Sequence, residues 1–247
     1  MSIESNAFGP VAPYYDQLMK QVPYRMWVGY YFLLLSYLGV HPKRLLDVAC
    51  GTGTMTQILA REGFAMSGVD ISPPMIEIAR AKAARSRLPI RYFVGDACDM
   101  ELGETFDAAL SFFDSLNNIL EPARLAQAFQ KVADHIKPGS SFIFDVNTDY
   151  AFRMHMFDQE NRRLNAKLRY LWKGDWDPVT RLITVRMQFW FQDQEFEEVH
   201  VQRAYDDEEI RDMLTQAGFG SVSAFHSYTL DRPRANSDRL HYVAIRQ

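Results

Sequence analysis

The sequence has few cysteines, no obvious export signal and no long hydrophobic run. Its two cysteines, Cys50 and Cys98, are too few for a disulfide framework and lack metal-site spacing. The first residues, "MSIESNAFGP", contain no basic segment followed by an apolar core, which argues against a secretory signal peptide. We therefore expect reduced thiols and a cytoplasmic location.

The chain also lacks a membrane-spanning segment and an excess of basic residues. The most apolar early stretch, "WVGYYFLLLSYLGV", is too short to cross a bilayer, so we expect a core-facing helix there. The 27 Lys and Arg against 31 Asp and Glu give a formal net charge of -4. A phosphate backbone needs a basic surface, so we expect no nucleic-acid partner, no membrane partner, and a small-molecule substrate.

The chain does have enough hydrophobic residues for a large core, and they follow two different periodic patterns. Of its 247 residues 47% are hydrophobic, which fits one large domain or one domain with an insertion. From 41 to 147, short apolar runs alternate with amphipathic helical stretches. Such alternation predicts a parallel sheet with helices on both faces. Apolar residues recur at helical spacing in 122–136, and Pro138 and Gly139 then predict the end of that helix.

From 164 to 205 the apolar residues recur at every second position. In "RLITVRMQFWFQ" they point one way while Arg186 and Gln188 point the other, which predicts a half-buried strand. The segments "KGDWDP" and "QDQE" have turn composition. We therefore predict an antiparallel meander with strands at 164–172, 181–191 and 196–205, acting as a cap over the main sheet.

After the cap, the helix and strand pattern resumes. The helix of "DDEEIRDMLTQAGF" has acids in its first turn and Gly218 at its end. Two candidate strands, "SVSAFHSYTL" and "RLHYVAIRQ", follow it. The edge of cap strand 196–205 could pair with a second subunit, so a homodimer is a possible assembly.

A glycine loop between a strand and a helix is the first functional motif. In "RLLDVACGTGTMTQILA", Gly51 and Gly53 allow a ligand to approach the backbone closely. Asp70 ends the next apolar strand, where an acid can accept hydrogen bonds from ribose hydroxyls. A dinucleotide fingerprint needs a third glycine where this chain has Thr56, and Asp47 would repel a pyrophosphate. A cationic ligand suits Asp47 better, although a dehydrogenase that tolerates Thr56 stays an alternative.

These residues resemble the class I S-adenosylmethionine-dependent methyltransferases. The first motif matches at "DVACGTG", with alanine where the family more often has glycine; the second matches at "GVDISPPMIEIAR" and the third at "FVGDACDM". The resemblance implies S-adenosylmethionine as cofactor. The cofactor-binding residues expected are Tyr15, Asp47, Ala49, Gly51, Thr52, Gly53, Asp70, Ile71, Met75, Asp96, Ala97, Cys98, Phe112 and Phe113.

The resemblance also implies an architecture and a branch of the family. It implies an α/β fold with a Rossmann-like, seven-stranded, mostly parallel sheet and helices on both faces. We expect an N-terminal helical lid at 1–40, the core at 41–147 and 206–247, and the inserted cap at 148–205. The phrase "DSLNNIL" after the fourth strand is similar to a small-molecule branch whose better understood relatives methylate amino sugars or small amines.

Four residues are candidates for catalysis. Methyl transfer from an activated sulfonium mainly requires alignment of the nucleophile and removal of its proton. Tyr15 is implied as a lid over the methionine end of the cofactor. Asp114 and Asn117 follow strand four, where the methyl group is expected, and Asp114 or the next serine could cap the following helix. His200 lies among polar neighbours on the cap and could be a general base, or a hydrogen-bonded sheet histidine.

Alternative functions remain open from sequence alone. A metal-dependent O-methyltransferase could bind magnesium through Asp114, Asn117 and Asp145, although the spacing does not require a site and no metal is our expectation. Adenine or glutamine methylation usually brings a proline-rich turn after strand four, which "FDSL" lacks. A catalytically silent cofactor-binding module would show a disrupted loop or no ribose acid, and both are intact here. We therefore favour an active enzyme.

Overall fold

A computed structural model describes residues 11–163, 168–191 and 194–247. The helices are α1 (Ala12–Leu18), α2 (Tyr24–Leu38), α3 (Thr54–Arg61), α4 (Pro73–Arg85), α5 (Pro122–His135), α6 (Asp149–Arg153) and α7 (Asp207–Gln216), with short 3₁₀ helices at Met19–Gln21 and Ser115–Asn118. The strands are β1 (Arg44–Val48), β2 (Ala65–Asp70), β3 (Arg91–Val94), β4 (Phe106–Ser111), β5 (Ile136–Asn147), β6 (Gln159–Asn161), β7 (Leu168–Asp177), β8 (Leu182–Phe191), β9 (Gln194–Arg203), β10 (Phe219–His226) and β11 (Arg239–Arg246).

The main sheet has seven strands in the order β10-β11-β5-β4-β1-β2-β3. Strands β1 to β5 run parallel, and β11 is antiparallel to both of its neighbours. The predicted α/β, Rossmann-like fold is confirmed. The strand order reverses between β1 and β4, and in such sheets the crevice beyond the carboxyl ends at this point is where ligands bind.

Both faces of this sheet are covered, as the hydrophobic runs predict. On β1, Leu46 faces the side covered by α5 and α7, while Leu45 faces the side covered by α2 and α3; neither leucine is exposed to solvent. Alternate residues of a strand point to opposite faces, so a strand covered on both sides must be apolar throughout. The predicted core-facing helix is confirmed as α2. Among the described residues, no helix is long and apolar enough to span a membrane.

The cap sheet consists of four antiparallel strands in the order β6-β7-β8-β9. Strand β8 buries alternate residues from Ile183 to Phe189 and exposes Arg186, which confirms the predicted alternation. The turn predicted at "KGDWDP" is wrong, because β7 continues to Asp177 and Gly174 pairs with Val185. A Cβ at 174 would lie 2.8 Å from the Cδ1 of Ile183, so the glycine lets this side chain of β8 pack closely over β7.

Several observed element boundaries differ from the predicted ones. Strand β9 ends at Arg203, earlier than predicted, and residues 164–167 and 192–193, which belong to a predicted strand and turn, lie outside the described residues. The last helix is confirmed as α7, which begins with a capping box formed by Asp206 and Glu209. The two last strands are confirmed as β10 and β11. The domain bounds and a homodimer stay predictions.

Candidate active site

The glycine loop between β1 and α3 packs tightly on one side and is open on the other. Ala49, Gly51 and Gly53 all have positive φ values, of 57°, 54° and 71°. A Cβ on Gly53 would lie 2.3 Å from the hydroxyl of Tyr92, so only glycine fits there. A Cβ on Gly51 would meet nothing within 4 Å. The loop is therefore held against β3 while the backbone at Gly51 stays accessible.

A cavity that opens to solvent lies at the carboxyl ends of β1 and β4. It brings together the glycine loop, helices α1 and α2, and the segment after β4. Its lining residues are Tyr15, Tyr24, Trp27, Asp47, Ala49, Cys50, Gly51, Thr52, Thr54, Met55, Phe112, Phe113 and Ser115. Many of the cofactor-binding residues predicted from the sequence thus share one cavity.

Asp47 is a buried carboxylate on the wall of this cavity. Only 3% of the residue is exposed, and its Oδ2 accepts a hydrogen bond from the Thr56 hydroxyl. Burial raises its pKa to about 7; the Thr56 hydrogen bond opposes this shift, and the charge of Asp70 adds to it. Thr56, which stands where a dinucleotide fingerprint has glycine, is therefore part of the site.

Asp70, at the end of β2, fixes the loop through backbone hydrogen bonds. Its Oδ2 accepts from the Gly51 N–H at 2.8 Å, and its Oδ1 accepts from the Ser72 N–H at 2.9 Å. Burial raises the pKa of this carboxyl. Each oxygen retains a further lone pair that can accept from a ligand hydroxyl. Of the two neighbours predicted beside it, Ile71 is exposed and Met75 is buried in α4.

Asp96, after β3, is held by an ion pair. Its Oδ2 accepts from Arg124 of α5 at 2.5 Å, and its Oδ1 accepts from the Cys98 N–H at 2.8 Å. Burial raises the pKa of the Cys98 thiol to about 12 and that of Cys50 well above its ordinary value. Both cysteines are free thiols, protonated at neutral pH, which fits packing rather than nucleophilic chemistry.

The segment after β4 forms an aromatic wall. The ring centroids of Phe113 and Trp27 lie 4.8 Å apart. Phe113 and Asp114 both have positive φ, of 73° and 47°. The expected helix cap at Asp114 is wrong, because its side chain makes no capping hydrogen bond and only a short 3₁₀ helix follows. The hydroxyl of Ser115 donates instead to the carbonyl of Phe112 at 2.9 Å.

The carboxylate of Asp114 belongs to a buried polar network. Its Oδ1 accepts from Arg239 and its Oδ2 from the side-chain amide of Gln202, both at 2.8 Å. Arg239 also pairs with Asp145. The two oxygens of Asp145 in turn accept from the N–H groups of Phe113 at 2.8 Å and Asp114 at 3.0 Å. Strands β5, β9 and β11 thereby converge on the turn after β4.

Asn117 joins the same turn to the backbone of two other strands. Its amide nitrogen donates to the carbonyls of Asn147 at 3.0 Å and Arg203 at 2.8 Å, and its oxygen accepts from the Asn147 N–H at 2.9 Å. The residue has no exposed surface. This geometry gives the amide a structural role, in place of the expected position facing an acceptor, and its participation in catalysis stays a prediction.

Tyr15 of α1 lines the cavity, whereas His200 of cap strand β9 is not among the lining residues. Burial and nearby acids raise the pKa of the Tyr15 hydroxyl well above its ordinary value, so this residue of the cavity wall is protonated at neutral pH. The His200 Nε2 lies 2.8 Å from Oε2 of Glu198. His200 is two residues from Gln202 and hence on the same face of β9. Their proposed catalytic roles stay predictions.

A sequence model of the methyltransferase domain matches residues 45–139. A protein of Geobacillus sp. (strain WCH70) that is named as a methyltransferase is 32% identical over 251 residues, which cover 99% of each chain. The chain belongs to the methyltransferase family. A second relative, methyltransferase YqeM of Bacillus subtilis (strain 168), is 29% identical over 238 residues and 94% of each chain.

The fold of this methyltransferase is that of class I. An S-adenosylmethionine-dependent methyltransferase from Clostridium acetobutylicum ATCC 824 superposes with a TM-score of 0.84 at 24% identity, covering 97% of this chain and 98% of the other. The protein is accordingly a methyltransferase enzyme, and S-adenosylmethionine is its cofactor. The residues present fit that group, because the accessible backbone at Gly51 adjoins a buried carboxylate suited to a cationic ligand.

The methyltransferase site also contains residues that the motifs do not reveal. Arg239 is 125 positions from Asp114 in the chain, and Gln202 is 88 positions away. No local spacing marks such partners, since only the folded sheet brings them together. Arg239 also stands between two of the three oxygen ligands considered for magnesium. In the described ranges, no group of three or more His, Cys, Asp or Glu is arranged to hold a metal ion.

Proposed function

We propose that this enzyme transfers a methyl group from S-adenosylmethionine to a nitrogen or oxygen atom of a small-molecule acceptor by in-line displacement. The observation that carries the proposal is the single cavity in which the glycine loop, the Asp47 carboxylate and the aromatic wall after β4 meet. It lies at the point where strand order reverses, the usual ligand position in open α/β sheets.

The cofactor side of the cavity would be formed by motif residues. Asp47 would pair with the ammonium group, and the start of α3 would offer its N–H groups beside Gly51. Asp70 would accept from the ribose hydroxyls, and Asp96 from the adenine amino group. The bound cofactor supplies the chemistry of an activated methyl group on a positively charged sulfur.

The chain's task at the acceptor is alignment and proton removal. Aromatic side chains of Tyr24, Trp27 and Phe113 line the wall and would exclude water from the transfer. Because its phenol is protonated, Tyr15 would act as a hydrogen-bond donor and as a lid over the methionine end. His200, oriented by Glu198, would accept the acceptor's proton through direct contact or a water molecule.

Both nitrogen and oxygen acceptors belong to the proposal. A dTDP-3-amino-3,4,6-trideoxy-alpha-D-glucopyranose N,N-dimethyltransferase of Streptomyces venezuelae is 33% identical over 101 residues. A ubiquinone biosynthesis O-methyltransferase of Xylella fastidiosa (strain 9a5c) is 31% identical over 111 residues. These regions cover 41% and 44% of this chain. They support a small-molecule branch of the family, and the free thiols support a cytoplasmic location.

The proposal is tested first by binding and then by turnover. Isothermal titration should detect binding of S-adenosylmethionine and S-adenosylhomocysteine to the folded protein, and absence of both would reject the proposal. Purified protein with isotope-labelled S-adenosylmethionine should then label members of an acceptor panel of amino sugars, small amines and phenols. Binding without labelling of any acceptor would favour a silent module, and labelling abolished by chelator would favour the metal-dependent alternative.

A further inference from the structure

Three buried charges lie directly behind the aromatic wall. Arg239 of β11 pairs with Asp114 and with Asp145 of β5. The exposed fractions of their side chains are 15%, 10% and 1% respectively. Burial, together with the charge of Arg239, lowers the pKa of neighbouring His241 well below its ordinary value, so this imidazole adds no charge. Two carboxylates and one guanidinium leave a single net negative charge.

This triad also holds a strained backbone. Residues other than glycine rarely adopt positive φ, yet Phe113 and Asp114 do so in succession. Asp145 accepts hydrogen bonds from both of their N–H groups, and Arg239 holds Asp145 in position. Removing the guanidinium would leave two carboxylates close together without a counter-charge. The position of the Phe113 ring therefore depends on Arg239.

The triad also lies next to residues that line the cavity. Phe113 lines the cavity, and the Arg239 guanidinium lies 6.0 Å from the ring centroid of Trp27, another lining residue. Burial raises the pKa of the Tyr15 hydroxyl in the cavity wall well above its ordinary value, and the nearby charges of Asp114 and Asp70 add to this shift. The buried charge is thus placed to act on a ligand.

We propose that Arg239 is a positioning residue for methyl transfer: with Asp145 it fixes the Phe113–Asp114 turn, and with both carboxylates it sets one net negative charge behind the methyl-transfer wall. That charge stabilises the positive sulfonium of the methyl donor. The inference rests on the proposed function, because it requires the donor to lie in this cavity.

The test compares two ligands that differ in charge at one atom. S-adenosylmethionine carries a positive sulfonium, whereas the sulfur of S-adenosylhomocysteine is neutral, so the ratio of their dissociation constants reports the field at the sulfur. By Coulomb's law in a partly buried site, Asp114→Asn should weaken the binding of S-adenosylmethionine about fivefold relative to the binding of S-adenosylhomocysteine. Arg239→Met, measured at pH 8, should shift the ratio by a similar factor in the opposite direction.

Matched variants separate charge from structural damage. The surface pair Arg234 and Asp231, with side chains 56% and 59% exposed, provides Arg234→Met and Asp231→Asn, which should leave the ratio within about twofold. Arg239→Lys retains the positive charge but loses the planar guanidinium that binds both carboxylates. The ratio of dissociation constants should therefore stay within about twofold of the wild-type value, while turnover of any acceptor found should slow. If Arg239→Met does not fold, the other two variants test the inference: the ratio should shift in Asp114→Asn and stay at the wild-type value in Arg239→Lys.

Opposite shifts in the two buried variants support the inference, because mere loosening of the wall would not produce opposite signs. Shifts in the same direction, or no shift, overturn it. If wild-type protein binds neither ligand, the proposed function fails and this inference fails with it. Normal binding with unchanged ratios overturns this inference alone.

Discussion

The proposed cofactor side and the proposed acceptor side of the site are built by different kinds of contact. On the cofactor side, Asp70 accepts from the N–H groups of Gly51 and Ser72, which are 19 and 2 positions away in the chain. On the acceptor side, Asp114 is bound by Gln202 and Arg239, which are 88 and 125 positions away. The first side is a product of local sequence, and the second exists only once distant strands have packed.

This difference predicts different consequences of mutation. Asp47 and Asp70 retain lone pairs beside the accessible backbone of Gly51, so their loss should reduce ligand binding more than stability. Asn117 and Asp114 are bonded to groups from several strands, so their loss should reduce stability or displace the wall more than it reduces affinity for S-adenosylhomocysteine. The substitutions below test that separation, in order of decreasing effect.

The largest effect is expected at Gly53, where the loop meets β3. Gly53→Ala combines a positive φ of 71° with a Cβ placed 2.3 Å from the Tyr92 hydroxyl. It should lower the free energy of unfolding by about 3 kcal/mol and displace the loop, with loss of S-adenosylhomocysteine binding. Thermal denaturation and isothermal titration measure both.

Gly103→Ala is the matched control, because its φ is also positive, at 69°, but its Cβ would meet nothing within 4 Å. The left-handed backbone conformation should lower its free energy of unfolding by only about 1 kcal/mol, and ligand affinity should stay normal. Equal effects of the two substitutions would show that backbone strain, and not the contact with Tyr92, dominates at Gly53.

Asn117→Ala should separate stability from binding. It removes hydrogen bonds to three backbone groups of Asn147 and Arg203, two of them fully buried, which should lower the free energy of unfolding by about 2 kcal/mol. Affinity for S-adenosylhomocysteine should change less than about twofold in the folded protein. Asn118→Ala is the control, because this exposed side chain makes one local bond to the Ser115 carbonyl. A loss of turnover without a loss of stability would instead support the catalytic role predicted from the sequence.

The division between local contacts and contacts across distant strands explains how much of the fold and of the site could be predicted from the sequence. The strands and helices from β1 to β5, the glycine loop and the acid at the end of β2 follow from spacing within short segments, and they were predicted correctly. The turn at "KGDWDP" was not, because cross-strand pairing of Gly174 with Val185 overrides local turn composition. Arg239 and Gln202 could not be identified, since a lone arginine or glutamine in a strand carries no sign of a partner 88 or more positions away.

Asp70→Ala should affect binding first. It removes the expected ribose acceptor and the hydrogen bonds that hold the N–H groups of Gly51 and Ser72. S-adenosylhomocysteine should bind about 1–2 kcal/mol less tightly, with a smaller loss in stability. Asp99→Ala, an exposed acid beyond β3, should leave affinity unchanged by titration. Normal affinity in Asp70→Ala would mean that the ribose lies elsewhere.

The effect most specific to the cofactor side is the pH dependence set by Asp47. Burial raises the pKa of its carboxyl to about 7, above the value of about 3.9 expected in the unfolded chain. The folded protein therefore binds a proton that the unfolded chain has released, so this group's contribution to stability is fully present below about pH 4 and is lost as pH rises through 7.

A ligand with an ammonium group beside Asp47 should reverse that preference, because the ammonium group stabilises the ionised carboxylate. Binding of S-adenosylhomocysteine should thus release up to one proton below pH 7, and its affinity should rise between about pH 5 and 7 by less than tenfold per unit. Titration calorimetry in buffers of different ionisation enthalpy counts the proton. Asp47→Asn, which cannot ionise, should abolish both the release and the slope, whereas Asp114→Asn, on the acceptor side, should preserve them. A slope that survives in Asp47→Asn would assign the titration to another group and remove Asp47 from the ammonium site.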